Sequence, residues 1–144
     1  MTRSKGPLEG FTDLLETNYL KEQNVAKNSD WVIQSYTKAY DASVKPHALG
    51  MIAQPANVQS NPLKDGSKYN SGGVNGGDAG MQLFVRGGSQ PENNLVPIAE
   101  IGTKRKDMLY GSFRTSLKMT DINGTCGAVF FVRQLQPRWH TSAY

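Results

Sequence analysis

The chain has 144 residues, and its 16 Lys and Arg against 12 Asp and Glu give a formal net charge of +4. That length sets a one-domain expectation with room for a real core, while the excess charge is too small and scattered for the basic stripe of a nucleic-acid binder. No run of about 18 apolar residues occurs, so no transmembrane helix is expected, and a single cysteine excludes an internal disulfide and a cysteine-based zinc site.

Residues 1–10 read as a basic tail, and Met1-Thr2-Arg3-Ser4-Lys5-Gly6-Pro7 is followed by no apolar core of a signal peptide. Phe11, Leu14 and Leu15 have helical spacing, so a short helix and an irregular edge strand are both open there. Asp13 and Glu16 on this polar element read as a solvated face or a cap. Trp31-Val32-Ile33-Gln34-Ser35-Tyr36-Thr37 is rich in β formers and predicts a strand. Pro46, Pro55 and Pro62 interrupt the next stretch, where Ala48–Ala53 is the one candidate strand. The glycines between Gly72 and Gly80 have neither the Gly-Lys-Ser/Thr of a phosphate loop nor a following helix. They predict a positive-φ turn into a strand over 81–86. Asp78 alone makes no calcium site.

A second turn, Gly87–Asn94, predicts a hairpin joining 81–86 to a strand over 95–102. The basic turn Lys104-Arg105-Lys106 then leads into Tyr110–Met119, where apolar and polar residues alternate. That period places Phe113, Leu117 and Met119 on one face, expected to be buried with Leu83, Val85 and Ile101. Ser112, Arg114, Ser116 and Lys118 fall on the wet face. Asn123-Gly124 breaks the pattern, and Cys126–Val132 is an apolar run that reads as a strand buried on both faces, a buried helical turn being the alternative, with Cys126 as a small apolar core residue. Consecutive strands over 81–86, 95–102, 109–120 and 126–132 would then be antiparallel neighbours. The class expected from the residues alone is all-β.

Three blocks carry a family resemblance: Gly73-Val74-Asn75-Gly76-Gly77-Asp78-Ala79-Gly80-Met81-Gln82-Leu83, Asp107-Met108-Leu109-Tyr110-Gly111-Ser112-Phe113-Arg114, and Asn123-Gly124-Thr125-Cys126-Gly127-Ala128. Together with Phe11–Thr17 they resemble, in order and over about residues 11–131, a fungal branch of glycoside hydrolase family 16. The resemblance implies a concanavalin A-like jelly-roll β-sandwich with a sugar-binding cleft, an extracellular location, β-glucan as partner, and no cofactor or metal. Its catalytic signature is Glu-x-Asp-x-Glu, whose alternation aims all three carboxylates into the cleft. After Ala128 the family pattern would continue Phe-Phe-Trp-Tyr, but Val129-Phe130-Phe131-Val132 stand here, and no Asp or Glu follows Asp121. The expectation is therefore a partial glucanase-like sandwich over 11–131, ending before the catalytic strand, with a divergent tail over 132–144.

No catalytic residue is assigned. Glu100 is a lone carboxylate on its strand, and one carboxylate supplies no acid and base pair. His47 and His140 have no nucleophile context. Phe84 and Phe131 are the candidate sugar-stacking aromatics, and Asn123 heads a glycosylation sequon that matters only on a secreted chain. Three readings follow: a family 16-like protein without activity of its own, a carbohydrate-binding remnant, and a non-functional product of a disrupted reading frame. Nucleic acid and membrane are not expected partners, whereas open sheet edges would favour self-association.

Overall fold

The computed structural model describes residues 13–40, 43, 49–87, 92–108 and 111–130. They fall into two compact units, one ending at Lys104 and the other starting at Arg105.

The first unit is all-β. Its strands are β1 (Trp31–Ile33), β2 (Tyr36–Lys38), β3 (Gly50–Ala53), β4 (Val58–Asn61), β5 (Gly80–Leu83), β6 (Leu95–Ile98) and β7 (Ile101–Thr103). β1 pairs antiparallel with β7, setting Trp31 opposite Thr103 and Ile33 opposite Ile101. β3 is the middle strand of a three-stranded sheet, antiparallel to β2 and parallel to β6. β4 and β5 form a third, antiparallel pair in which Asn61 faces Gly80.

Local chemistry explains several of these choices. The β-forming run from Trp31 is split at Gln34-Ser35, so one stretch serves two sheets. The Gln34 N–H donates to the Glu100 carbonyl at 3.0 Å and prolongs the β1–β7 ladder before the chain leaves it. Gly50 lies where three strands crowd together: a Cβ there would sit 2.6 Å from the Lys38 carbonyl oxygen and 2.7 Å from Leu95. Pro97 lies on β6 at the sheet edge, where a missing N–H donor is tolerated. Among the described residues Val25, Ala53, Val58 and Leu63 are the buried apolar side chains, and the buried polar ones are Asn57 and Asn61. Two carboxamides thus occupy interior positions that a larger core would fill with hydrocarbon, and both are hydrogen-bonded, as burial requires.

Several expectations need correction. The 81–86 and 95–102 segments do not form a hairpin. β5 ends at Leu83 and pairs with β4, whereas β6 pairs with β3. One backbone bond between the two segments is present, from the Arg86 N–H to the Pro97 carbonyl at 3.0 Å. The β3–β6 pair is also parallel, so the pairing is not uniformly antiparallel. The basic turn does not reverse into a hairpin either. β7 is laddered to β1, and the Lys104 N–H extends that ladder by donating to the Asp30 carbonyl at 2.8 Å.

In the second unit, the described residues 111–130 contain no strand. Leu117 is 55% exposed and Phe130 69%, and Phe113 and Met119 are exposed as well, so the buried face expected from the alternation is not buried. Leu83 and Val85, their expected companions, are exposed too. Cys126 is exposed and does not lie in a buried strand. Alternation specifies two faces but supplies no partner, and β-propensity is realised only where a neighbouring strand and a packing layer exist. The break at Asn123-Gly124 holds: the Thr125 N–H donates to the Ile122 carbonyl at 3.2 Å, with Gly124 at φ 86°.

Candidate functional site

The segment just past β5 carries the most organised exposed group in the first unit. Phe84 and Arg86 are separated by one residue, and each is pinned through its backbone to a different element. The Phe84 N–H donates to the Asn57 carbonyl at 2.9 Å, and the Arg86 N–H to Pro97. In an extended segment, residues two apart share a face. The Arg86 guanidinium accordingly lies over the Phe84 ring, 5.4 Å from its centroid. This is a cation–π contact. The Arg86 Nε–H also donates to the Asn57 Oδ1 at 3.0 Å. Asn57, 2% exposed, is itself held by an Nδ2 bond to the Ile98 carbonyl at 3.2 Å. The arginine is therefore fixed at its ring-facing side and along its Nε edge. Its terminal nitrogens have no hydrogen-bond partner among the described residues.

The glycine-rich turn between Gly72 and Gly80 adopts the positive φ expected of it, at Gly72, Gly76, Gly77 and Gly80. Its organiser is the buried Asn61. The Asn61 Nδ2 donates to the carbonyls of Gly76 at 2.9 Å and Asp78 at 2.8 Å, and its Oδ1 accepts from the Asn75 N–H at 2.9 Å. Gly73 packs so closely on this carboxamide that any Cβ there would overlap it. The turn is a clasp around a side chain, and its inward-facing polar groups are already satisfied.

Glu100 accepts a 2.5 Å hydrogen bond from the Tyr36 hydroxyl. That bond, then burial, raises the tyrosine's pKa, because ionisation would set a phenolate against the carboxylate. Glu100 does not lie on a strand as expected but in the connection between β6 and β7, so the bond ties β2 to that connection. An open depression of about 320 Å³ is lined by Val25, Ile33 and Val58 with the amides of Gln23, Asn24 and Gln59. It contains neither aromatic ring nor carboxylate, so it offers no sugar platform and no acid–base group.

The sequence candidates are not gathered into one place. Phe84 is half-buried beneath Arg86. Phe131, His47 and His140 lie outside the described residues. Asn123 is exposed in the second unit's turn. Asp13 and Glu16 are exposed. The basic cluster is divided between the units: the Lys104 Nζ donates to the Asn28 carbonyl at 2.7 Å, and Arg105 forms a two-pronged bond to Asp107 at 2.9 and 2.7 Å. No group of three or more His, Cys, Asp or Glu gathers among the described residues. Arg86, Asn57 and Tyr36 were not among the sequence candidates. The two-residue spacing of Phe84 and Arg86 was a usable signal for one of them, whereas nothing local marks Asn57 as an anchor. No family model matches the chain, no curated protein matches its sequence and no solved structure matches its fold.

Proposed function

We propose that the chain is a glycoside hydrolase family 16-like β-protein, built on part of a jelly-roll sandwich, that contacts β-glucan through Phe84 and does not hydrolyse it. Support for the family comes from the ordered blocks at 73–83, 107–114 and 123–128, and the all-β architecture is compatible with it. The observation carrying the non-hydrolytic half is the state of the carboxylates. The sequence contains no Glu-x-Asp-x-Glu, and Glu100 is engaged by Tyr36. Retaining hydrolysis requires a nucleophile and an acid/base about 5–5.5 Å apart, which the signature supplies and a lone carboxylate does not. The observation favouring retained sugar contact is Phe84, a half-buried aromatic ring on a pinned segment with the Arg86 guanidinium over its face as a hydrogen-bond donor. On the same reading the protein acts outside the cell, where Asn123 would be a glycan acceptor.

The test is to incubate the full chain with mixed-linkage β-glucan and measure released reducing ends alongside binding of the polymer. Binding without release is the expected result. Release that disappears in Glu100→Gln would overturn the non-hydrolytic half, and absence of binding would overturn the glucan half.

A further inference from the structure

We infer that the open end of the Arg86 guanidinium is a receptor for the carboxylate of an acidic sugar, which makes a uronate-bearing glycan, not a purely neutral one, the preferred ligand of the Phe84 site. This rests on the glycan reading above and narrows it.

A guanidinium is planar and offers two edges that each match a carboxylate with paired N–H donors. In Arg86 the Nε edge is engaged by the Asn57 Oδ1 at 3.0 Å. The edge formed by the two terminal nitrogens faces no described acceptor, and no described carboxylate forms an ion pair with Arg86. An exposed arginine ordinarily loses considerable rotamer freedom when it grips an anion, which is one reason surface ion pairs contribute so little. Here that freedom is already restricted by four constraints. The backbone N–H is bonded to Pro97, the Phe84 backbone to Asn57, the guanidinium plane lies over the Phe84 ring, and Nε is tied to a buried amide. Asn57 and Phe84 are thus positioning residues for the fork. A neutral sugar hydroxyl can accept from the fork, but it lacks the second oxygen and the charge that make the two-pronged bond strong.

The experiment is a chemical-shift titration of the full chain with glucuronate, with glucose and a neutral β-gluco-oligosaccharide, and with acetate, read at the amides of residues 84–86. Glucuronate is expected to saturate these signals about tenfold more tightly than glucose, a difference of about 1.4 kcal/mol. Arg86→Gln should erase that preference, and Arg86→Lys, which keeps the charge but not the fork, should erase most of it. Asn57→Ala should weaken glucuronate more than glucose; retention of the overall amide spectrum in the Arg86 variants keeps the comparison valid if Asn57→Ala fails to fold. Neutral sugar binding as tightly as glucuronate, or a glucuronate preference surviving in Arg86→Gln, would overturn the carboxylate assignment alone. Acetate matching glucuronate while neutral sugars fail to bind would overturn the acidic-sugar assignment together with the glycan reading.

Discussion

Individual side chains carry much of the bonding in the first unit, because the interior formed by its described residues is partly polar. Asn61 satisfies two carbonyls and one N–H of the glycine turn while 2% exposed. Asn61→Ala removes all three of these part-buried bonds, and a loss of about 1–3 kcal/mol is expected in urea denaturation. Gly73→Ala should be worse still, since its methyl would occupy the carboxamide's space, whereas Gly66→Ala, with nothing within 4 Å, should be neutral or slightly stabilising. Tyr19 presents the opposite case. Its ring packs against Trp31, with centroids 6.0 Å apart, but its buried hydroxyl has no hydrogen-bond partner. Burial, and then the nearby Glu22 and Asp30 charges, push its pKa well above the ordinary tyrosine value. Tyr19 and Tyr36 are both protonated more tightly when folded. Their contribution is therefore complete below the unfolded pKa of about 10 and is lost as pH rises beyond it. Tyr19→Phe should leave the melting temperature at pH 7 unchanged or higher and reduce the loss seen on raising the pH above 10.

At the scale of elements, bonding is concentrated in a few places. β3 is laddered on both edges, and the Gln54 N–H continues its pairing by donating to the Ile98 carbonyl at 3.1 Å. Hydrogen exchange should be slowest in β3 and fastest over 111–130, where the described residues carry no strand ladder. Slow exchange across 111–119 would contradict the structure. The same contrast explains what could be read from the residues. Trp31–Thr37 is rich enough in β-branched and aromatic residues to announce a strand, which the structure divides into β1 and β2, and the apolar run Ala48–Ala53 announces β3. The glycines of 72–80 announce their turn because only glycine adopts positive φ without strain. β4 was missed because Val58-Gln59-Ser60-Asn61 has no apolar alternation; its place comes from the ladder to β5 and from the bonds of Asn61 to the glycine turn. The 110–119 run misled for the converse reason, having the pattern of a strand without a strand to pair with. The Phe84 candidate was legible as an aromatic ring, but its anchor at Asn57 depends on tertiary contact alone.

For the whole molecule, the small buried apolar set and short ladders among the described residues imply modest stability, with denaturation at low urea. Two-stranded sheets such as β1–β7 and β4–β5 leave edges that can pair with other chains. The exposed Leu117, Ile122, Val129 and Phe130 add apolar surface. Apparent mass in sedimentation should therefore rise with concentration, and a Leu117→Ser, Phe130→Ser double variant should reduce that rise. The central claim is that this chain binds glucan without cutting it, and electrophoresis through a native gel containing mixed-linkage β-glucan tests it most directly. The account predicts retardation relative to a glucan-free gel, lost in Phe84→Ala, with the embedded polymer intact along the protein's track. Equal mobility in both gels, or a cleared track of degraded polymer, would contradict it.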